Sequence, residues 1–402
     1  MSDYQEITTC RCCSSEKLTC ILDLKNQPLA NSYHDKSRVL NKYPLKLNLC
    51  LNCYHSQLSV VVDPSLLFKN YLYVSGTTNT LKEYFDFFAK FTMQRFKYLN
   101  NKKIENVLDI ACNDGSQLDY YKKLGVETFG VDPAENLHKL SSKNHHVVCD
   151  FFPTKIEKKF DVIVAQNVFA HTHNIKEFLI ECSRILNENG VIYIQTSQSN
   201  MIKNNEFDTI YHEHLSFFNS YSMKTLVESC NLKLNNVFKF DVHGTSYIFE
   251  IQEKTKDTNL DSVLKLEKKE GLYDLSTYEK FSQNATEITK KLKNTIDDFK
   301  NKDYVTIGYG AAAKGMTLLN FGDIELDYII DDNPMKEGLY TPGTNIPIKN
   351  IKILQDLKDQ KILFVPLAWN FFDEIKKRII AVRECGKDVY VRYFPKISEE
   401  YT

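Results

Sequence analysis

Apolar residues in this chain follow two rhythms, and the switches between them mark its parts. Short unbroken apolar runs recur at 107–110, 128–131, 147–148, 162–165 and 191–195, with stretches of helical period between them. Runs of that length bounded by turn residues predict buried strands, and their alternation with helices predicts a doubly wound sheet. The alternation restarts after residue 300, with runs at 305–309, 328–330 and 362–365. Between the two blocks, 252–300 is charged and periodic, with Leu264, Tyr278, Ile288, Leu292, Ile296 and Phe299 among its apolar positions. That spacing predicts one or two long helices connecting the blocks, a dimer-forming helix being the alternative. Ahead of the first block, 81–99 reads as a helix whose Tyr84, Phe85, Phe88, Phe91 and Phe96 pack a core face. The first 65 residues carry only short strand-like runs, at 21–22 and 45–49, broken by Pro28 and Pro44. The expected architecture is α/β: a small N-terminal domain (1–65), a doubly wound domain (66–251), a helical connector (252–300) and a second Rossmann-like domain (301–402).

The strand ends carry the candidate chemistry. The run 107–110 leads into Ala111-Cys112-Asn113-Asp114-Gly115-Ser116 and then a helix. A tight strand–turn–helix at the start of an α/β sheet is where nucleotide-like cofactors bind, and Gly115 allows close backbone approach. The turn lacks the G-x-G-x-x-G spacing of dinucleotide enzymes and the G-K-[ST] of a P-loop. Asp132 ends the second run about 20 residues further on, where an acid suits the two hydroxyls of a ribose. In the last block, Gly308-Tyr309-Gly310-Ala311-Ala312-Ala313-Lys314-Gly315 is a second turn before a helix. Its backbone amides, helix dipole and Lys314 fit an anion, and Asp331 follows the next strand.

Tyr211-His212-Glu213-His214 packs four proton-handling side chains ahead of Leu215, Ser216, Phe217 and Phe218. A wet site with an apolar wall calls for such a run: a His as base, Glu213 to orient it or hold a hydroxyl, and Tyr211 to donate to an oxyanion. Ordinary surface histidines on a polar loop are the alternative.

Composition narrows the setting. A net charge of −1 gives no general case for nucleic-acid or membrane partners. No basic N-terminus with an apolar core is visible, and no apolar run approaches the roughly 20 residues of a membrane span, so a cytoplasmic protein is expected. Cys10, Cys12, Cys13, Cys20, Cys50 and Cys53 crowd the N-terminus. Cys10/Cys13 and Cys50/Cys53 form two C-x-x-C pairs, the spacing of a closed tetrahedral zinc site that serves folding and not catalysis. A metal-free thiol knuckle or a redox pair is the alternative.

Several motifs together carry a resemblance. LDIACNDGSQL resembles the glycine-loop motif of class I S-adenosylmethionine-dependent methyltransferases, GVDPAENL their acidic second-strand end, and QNVFAHTHNIKEFL the end of their fourth strand. With the N-terminal cysteines, YVSGT, FDTIYHEHLSFF and GYGAAAKG, the chain resembles the three-domain C-methyltransferases acting on C3 of nucleotide-linked 4-keto-6-deoxy sugars. The resemblance implies a cofactor set of Tyr71, Ser75, Asp109, Cys112, Asn113, Asp114, Gly115, Asp132, Pro133, Asn167 and His171. It implies His214 as base with Tyr211 and Glu213 beside it. His171, His243, Gly310, Lys314 and Asp331 would face the sugar nucleotide, in a monomer or weak homodimer. Cys112 stands where the family usually has Ser, Ile248 where it has Arg, and Ala312 where it has Pro. A small-molecule O- or N-methyltransferase and a zinc-bearing binding protein are the competing readings.

Overall fold

The computed structural model describes the chain except for residues 1–2, 37, 39, 69–75, 77–78, 198–199, 243, 256, 384–385 and 402. At its centre seven strands form one sheet, in the order Lys233–Phe240, Ser246–Gln252, Leu186–Thr196, Phe160–Gln166, Asn106–Ile110, Glu127–Val131 and His146–Val148. The last five are mutually parallel and correspond to the five apolar runs. Helix Asn79–Asn100 covers one face, where Phe88 and Phe96 share a core with Val107, Val162 and Tyr193. Helices Ile175–Arg184 and Ser220–Ser229 cover the other.

The first two strands in that order are antiparallel additions that periodicity did not reveal. Ser246–Gln252 is buried along its whole length yet reads SYIFEIQ. Its buried Glu250 is held by Arg95 at 2.8 and 3.0 Å, by Asn236 at 2.7 Å and by the Tyr193 hydroxyl at 3.1 Å. A paired charge breaks the apolar pattern without breaking the strand. Ile248 lies on the same strand, fully buried among Val107, Val191 and Tyr193, so this position presents no polar surface.

A second sheet of six strands runs Ile348–Lys349, Tyr328–Ile330, Tyr304–Tyr309, Lys361–Pro366, Val389–Arg392 and Ser398–Tyr401, parallel except for the last. Helix Leu275–Lys300 buries Tyr278, Phe281, Ala285, Ile288, Leu292, Ile296 and Phe299. These recur every three or four residues, one stripe of a 3.6-residue helix. The stripe joins a core that includes Leu318 and Leu319, so it is satisfied within the chain.

The N-terminal sheet explains how the parts meet. Leu18–Gln27, Tyr43–Cys50 and Ser56–Leu58 pair antiparallel, and the fourth strand is Ser216–Phe217, directly after the Tyr211–His214 run. A single apolar core then extends from Leu45 and Leu47 through Phe207, Ile210 and Leu215 to Leu318 and Leu319. Residues 207–217 sit where all three parts of the chain converge. Among the described residues, no helix is long and apolar enough to cross a membrane.

Candidate active site and metal centre

The four cysteines of the two C-x-x-C pairs come together. Their sulfurs all lie within 4.8 Å of one another, with Cys10–Cys53 at 3.5 Å and Cys13–Cys50 at 3.6 Å. Thiolates about 2.3 Å from a tetrahedral zinc stand about 3.8 Å apart, so the cluster fits that ion. The two pairs sit in matching turns. Cys10 N–H donates to Ser15 O and Ser14 N–H to Cys10 O; Cys50 N–H donates to His55 O and Tyr54 N–H to Cys50 O. Ser14 and Tyr54, each four residues after the first cysteine, both have positive φ, 60° and 56°. Cys12 is buried beside the cluster and Cys20 is exposed away from it. Arg11, inside the first turn, donates to the carbonyls of Thr172 and His173, next to His171.

The cofactor crevice lies at the carboxyl ends of the parallel strands, between Asn106–Ile110 and Phe160–Gln166, where the strand order reverses. Ala111, Asn113 and Gly115 all have positive φ, so the chain turns sharply there. A Cβ at Gly115 would meet Ser141 Cα at 3.2 Å and His145 Cδ2 at 3.1 Å, at φ +82°. Both Asp132 oxygens hold backbone: Oδ2 accepts from Asn113 N–H and Oδ1 from Ala134 N–H, each at 2.8 Å. Burial pushes this carboxyl up from its ordinary range, and the two amides oppose that. Asp109 is buried beneath it, raised by burial and then by Asp132 and Asp114. Asp114 caps Ser116 N–H at 3.1 Å and accepts Gly76 N–H at 3.0 Å, which brings Gly76 onto the turn. Tyr71, Ser75 and His243 lie outside the described residues. The Cys112 sulfur points at the second strand, where a Cβ on Gly130 would stand 2.6 Å from it. Pro133 follows Asp132, and Asn167 ends the fourth strand with φ 54° and its N–H on Gln195 O at 3.0 Å.

His171 follows from that strand on the short turn Phe169–His171, and its ring lies 5.0 Å from that of His214. The run 211–214 is itself a turn: His214 N–H donates to Tyr211 O at 2.9 Å, which places residues 211 and 214 side by side. His214 Nδ1 meets the Thr209 carbonyl at 2.7 Å, and Nε2 meets the Tyr211 hydroxyl at 2.9 Å. A carbonyl only accepts, so Nδ1 carries the proton, Nε2 carries the lone pair, and the phenol donates to it. Burial, then the neighbouring His171, push His214 well below the ordinary imidazole range, and the Thr209 carbonyl opposes this; burial also lowers His171 to about 4. Both rings are neutral at pH 7.

Glu213 points elsewhere, so of its two expected tasks, orienting an imidazole or holding a hydroxyl, it does not serve the first. That task falls to the Thr209 carbonyl. The Glu213 carboxylate accepts from Asn31 of the N-terminal region at 2.6 Å, and burial raises it to about 7. The turn geometry explains the split, since residue i+2 leaves the side that i and i+3 share. His212 is buried against the Pro44 carbonyl at 3.2 Å, tying the run to the N-terminal sheet.

The C-terminal turn repeats the geometry of the cofactor turn. Gly310 N–H bonds Ile330 O at 2.7 Å as Ala111 N–H bonds Val131 O at 2.7 Å. Asp331 accepts from Ala311 N–H at 2.7 Å and Asn333 N–H at 2.8 Å, as Asp132 accepts from Asn113 and Ala134. A Cβ at Gly310 would stand 2.9 Å from Ala368 Cβ at φ +91°, so this glycine serves close packing as well as the turn. The Ala311 carbonyl takes Tyr33 from the N-terminal region and Lys336. Lys314 lies 4.6 Å above the Trp369 ring. Its charge is the smallest of the influences that shift His214.

The structure thus gathers Tyr211, His214, His171 and Lys314, and separately gathers Asp109, Asn113, Asp114, Gly115 and Asp132. Gly310 and Asp331 belong to the C-terminal turn itself. Thr209, Asn31, Asp208 and Trp369 were not identified from sequence. Asp208 stands two residues before Ile210 in the same FDTIYHEH run, and Trp369 is the only Trp in the chain. Those were the available signals.

A sheet in this strand order, with a left-handed turn after its first strand and an acid after its second, is the arrangement that binds nucleotide-like cofactors at the carboxyl ends of its strands. Residues 80–237 match a methyltransferase domain family, 241–395 the C-methyltransferase C-terminal domain family, and 10–68 a family of candidate zinc-binding domains. The chain is 26% identical over 388 residues to C-methyltransferase NovU of Streptomyces niveus, covering 92% of this chain and 91% of that protein. It is 30% identical over 102 residues to a ubiquinone biosynthesis O-methyltransferase of Bradyrhizobium diazoefficiens, 23% of this chain and 40% of that one. The solved plantazolicin methyltransferase BpumL in complex with SAH aligns over 44% of this chain and 87% of its own, at 16% identity and a TM-score of 0.37. The chain belongs to the three-domain C-methyltransferases, enzymes that use S-adenosylmethionine.

Proposed function

We propose that the enzyme methylates C3 of a nucleotide-linked 4-keto-6-deoxy sugar through an enolate. The observation that carries this reading is His214, a buried neutral imidazole whose Nδ1–H is committed to Thr209 and whose Nε2 lone pair meets the Tyr211 hydroxyl. Such a ring offers an acceptor nitrogen at Nε2. A C4 ketone acidifies the C3 hydrogen, so Nε2 takes that proton as the C–H electron pair moves toward the carbonyl oxygen. The Tyr211 hydroxyl, turning from Nε2, donates to the developing enolate, and Lys314 adds positive charge. C3 then attacks the methyl carbon. When bound, S-adenosylmethionine would supply that methyl on a positively charged sulfur, which would leave with the bonding pair as a neutral thioether.

The remaining candidates divide by ligand. Asp132 takes the ribose hydroxyls, and the turn of Asp109, Cys112, Asn113, Asp114 and Gly115, with Pro133, Asn167 and His171, lines the rest of the cofactor crevice. Glu213 with Asn31 reads a sugar hydroxyl. Lys314, with the Gly310 and Asp331 turn, holds the diphosphate. Cys10, Cys13, Cys50 and Cys53 hold a structural zinc. The similarity to C-methyltransferase NovU along nearly the whole chain supports the carbon-directed reading. On this reading the chain divides into a zinc-binding domain (1–65), a methyltransferase domain (66–251), a helical connector (252–300) and a C-terminal domain (301–402), and the enzyme acts in the cytoplasm.

Solvent deuterium exchange tests the reaction. With S-adenosylhomocysteine present, C3 of a suitable 4-keto-6-deoxy nucleotide sugar gains deuterium, read by mass spectrometry. An O- or N-methyltransferase gives no such wash-in, and its absence across a panel of these sugars rejects the reading.

Two variants separate the ligands. Asp132→Ala weakens S-adenosylmethionine binding about ten- to a hundredfold, the worth of charge-assisted hydrogen bonds. Unchanged affinity in calorimetric titration removes Asp132 from the cofactor site. Lys314→Ala raises the KM for the sugar nucleotide by a similar factor and leaves S-adenosylmethionine affinity at the wild-type value. Loss of both affinities together points to misfolding.

A further inference from the structure

We propose that Asp208 is a positioning residue for the proton transfer: by accepting the Trp369 indole N–H, it lets the C-terminal domain hold the turn whose Thr209 carbonyl aims His214. The inference rests on His214 being the base.

Asp208 lies on the short turn Phe207–Thr209, immediately before the carbonyl that fixes the His214 tautomer. It is fully buried, and its Oδ2 accepts Trp369 Nε1–H at 2.8 Å. Trp369 belongs to the C-terminal domain, just beyond strand Lys361–Pro366. A second tie runs beside it, from the Thr317 hydroxyl to the Ile210 carbonyl at 3.2 Å. The turn that aims the base is therefore gripped on both sides of Thr209 by a domain distant in sequence.

The cost of this arrangement argues against a passive role. Asp208 is fully buried, and the buried Tyr393 hydroxyl of the C-terminal domain also interacts with its carboxyl. An apolar side chain would fill the space without the cost of burying a carboxyl. Burial raises this carboxyl to about 7, while Lys314 and the indole N–H oppose the shift. The grip therefore depends on an acceptor for the indole more than on a full negative charge. Trp369 also meets one of the candidate groups, since Lys314 stands over its ring.

Two readouts test the proposal on the full-length enzyme. The first needs no substrate: the imidazole ¹⁵N spectrum of protein labelled at histidine, with His214 assigned through His214→Asn. Wild-type protein shows one tautomer with Nδ1 protonated. Asp208→Ala and Trp369→Phe, which keeps the ring but removes the N–H, both shift His214 toward a mixture of tautomers. Asp208→Asn, which still accepts the indole proton, restores the wild-type pattern. The second is turnover. Each of the two disruptive variants lowers kcat about tenfold with the KM for S-adenosylmethionine held, and the double variant is no slower than either single one. An unaltered His214 spectrum in both single variants, or rate losses that multiply in the double variant, overturns the proposal. Absent C3 exchange in wild-type enzyme defeats the assigned substrate instead, and leaves the spectral test to decide Asp208.

Discussion

Replacing His214 by Asn lowers turnover by about 10²–10⁴-fold while both ligands still bind. The size follows from the function removed. General-base action contributes that factor, and an amide of similar shape has no lone pair basic enough to take a carbon-bound proton near pH 7. The same variant loses deuterium wash-in at C3, since exchange needs only the base and the ketone and proceeds with S-adenosylhomocysteine in place of the donor. Tyr211→Phe separates the two roles. It keeps His214 Nε2 as a base but removes the hydroxyl 2.9 Å from it, so exchange slows without vanishing. The measurement is isotope uptake by mass spectrometry beside methyl transfer. If His214→Asn exchanges at the wild-type rate, the base is Tyr211 or Glu213, and His214 keeps only a binding role.

Removing the metal has the other large effect. X-ray absorption at the zinc edge, on protein purified without added metal, is expected to show about one zinc per chain with four sulfur ligands. Structural sites of this kind contribute free energy on the order of 10 kcal/mol to folding at pH 7. Cys50→Ser or Cys53→Ser therefore unfolds the N-terminal sheet, and the consequence reaches the active site by a defined route. Cys50 ends strand Tyr43–Cys50, which pairs with Ser56–Leu58, which in turn pairs with Ser216–Phe217. Leu215, one residue past His214, donates its N–H to Ala170 O at 2.8 Å, and its carbonyl accepts from Leu58 N–H at 3.1 Å. Loss of zinc should therefore lower kcat and reduce protection from hydrogen exchange across Ser216–Phe217. Oxygen or nitrogen ligands at the edge, or wild-type kcat in the metal-free protein, would falsify this account.

The two turns after Asn106–Ile110 and Tyr304–Tyr309 were legible because a strand–turn–helix with an acid after the next strand is a local pattern. The carboxylates of Asp132 and Asp331 do what those positions require, each holding a turn amide and the amide two residues ahead. Strand Ser246–Gln252 was not legible, because Glu250 breaks its apolar run and only Arg95 and Asn236 make the charge tolerable. Which of its two expected tasks Glu213 could serve was not legible, because adjacency in sequence stands for adjacency in space only until a turn intervenes.

What the sequence by itself determined is whatever a few neighbouring residues encode: the parallel strands, the two acid-closed turns, the paired cysteines and the proton-handling run at 211–214. Backbone sterics, hydrophobic periodicity and ligand spacing act over that range. Only the tertiary structure decided which His214 nitrogen carries the proton, that Glu213 faces Asn31, that Ser216–Phe217 completes the N-terminal sheet, and that Asp208 meets Trp369. Those partners are far apart in the chain, 161 residues for Asp208 and Trp369 and 182 for Asn31 and Glu213. Their meeting depends on how three packed units share one core, a property of the assembled fold that no local pattern encodes.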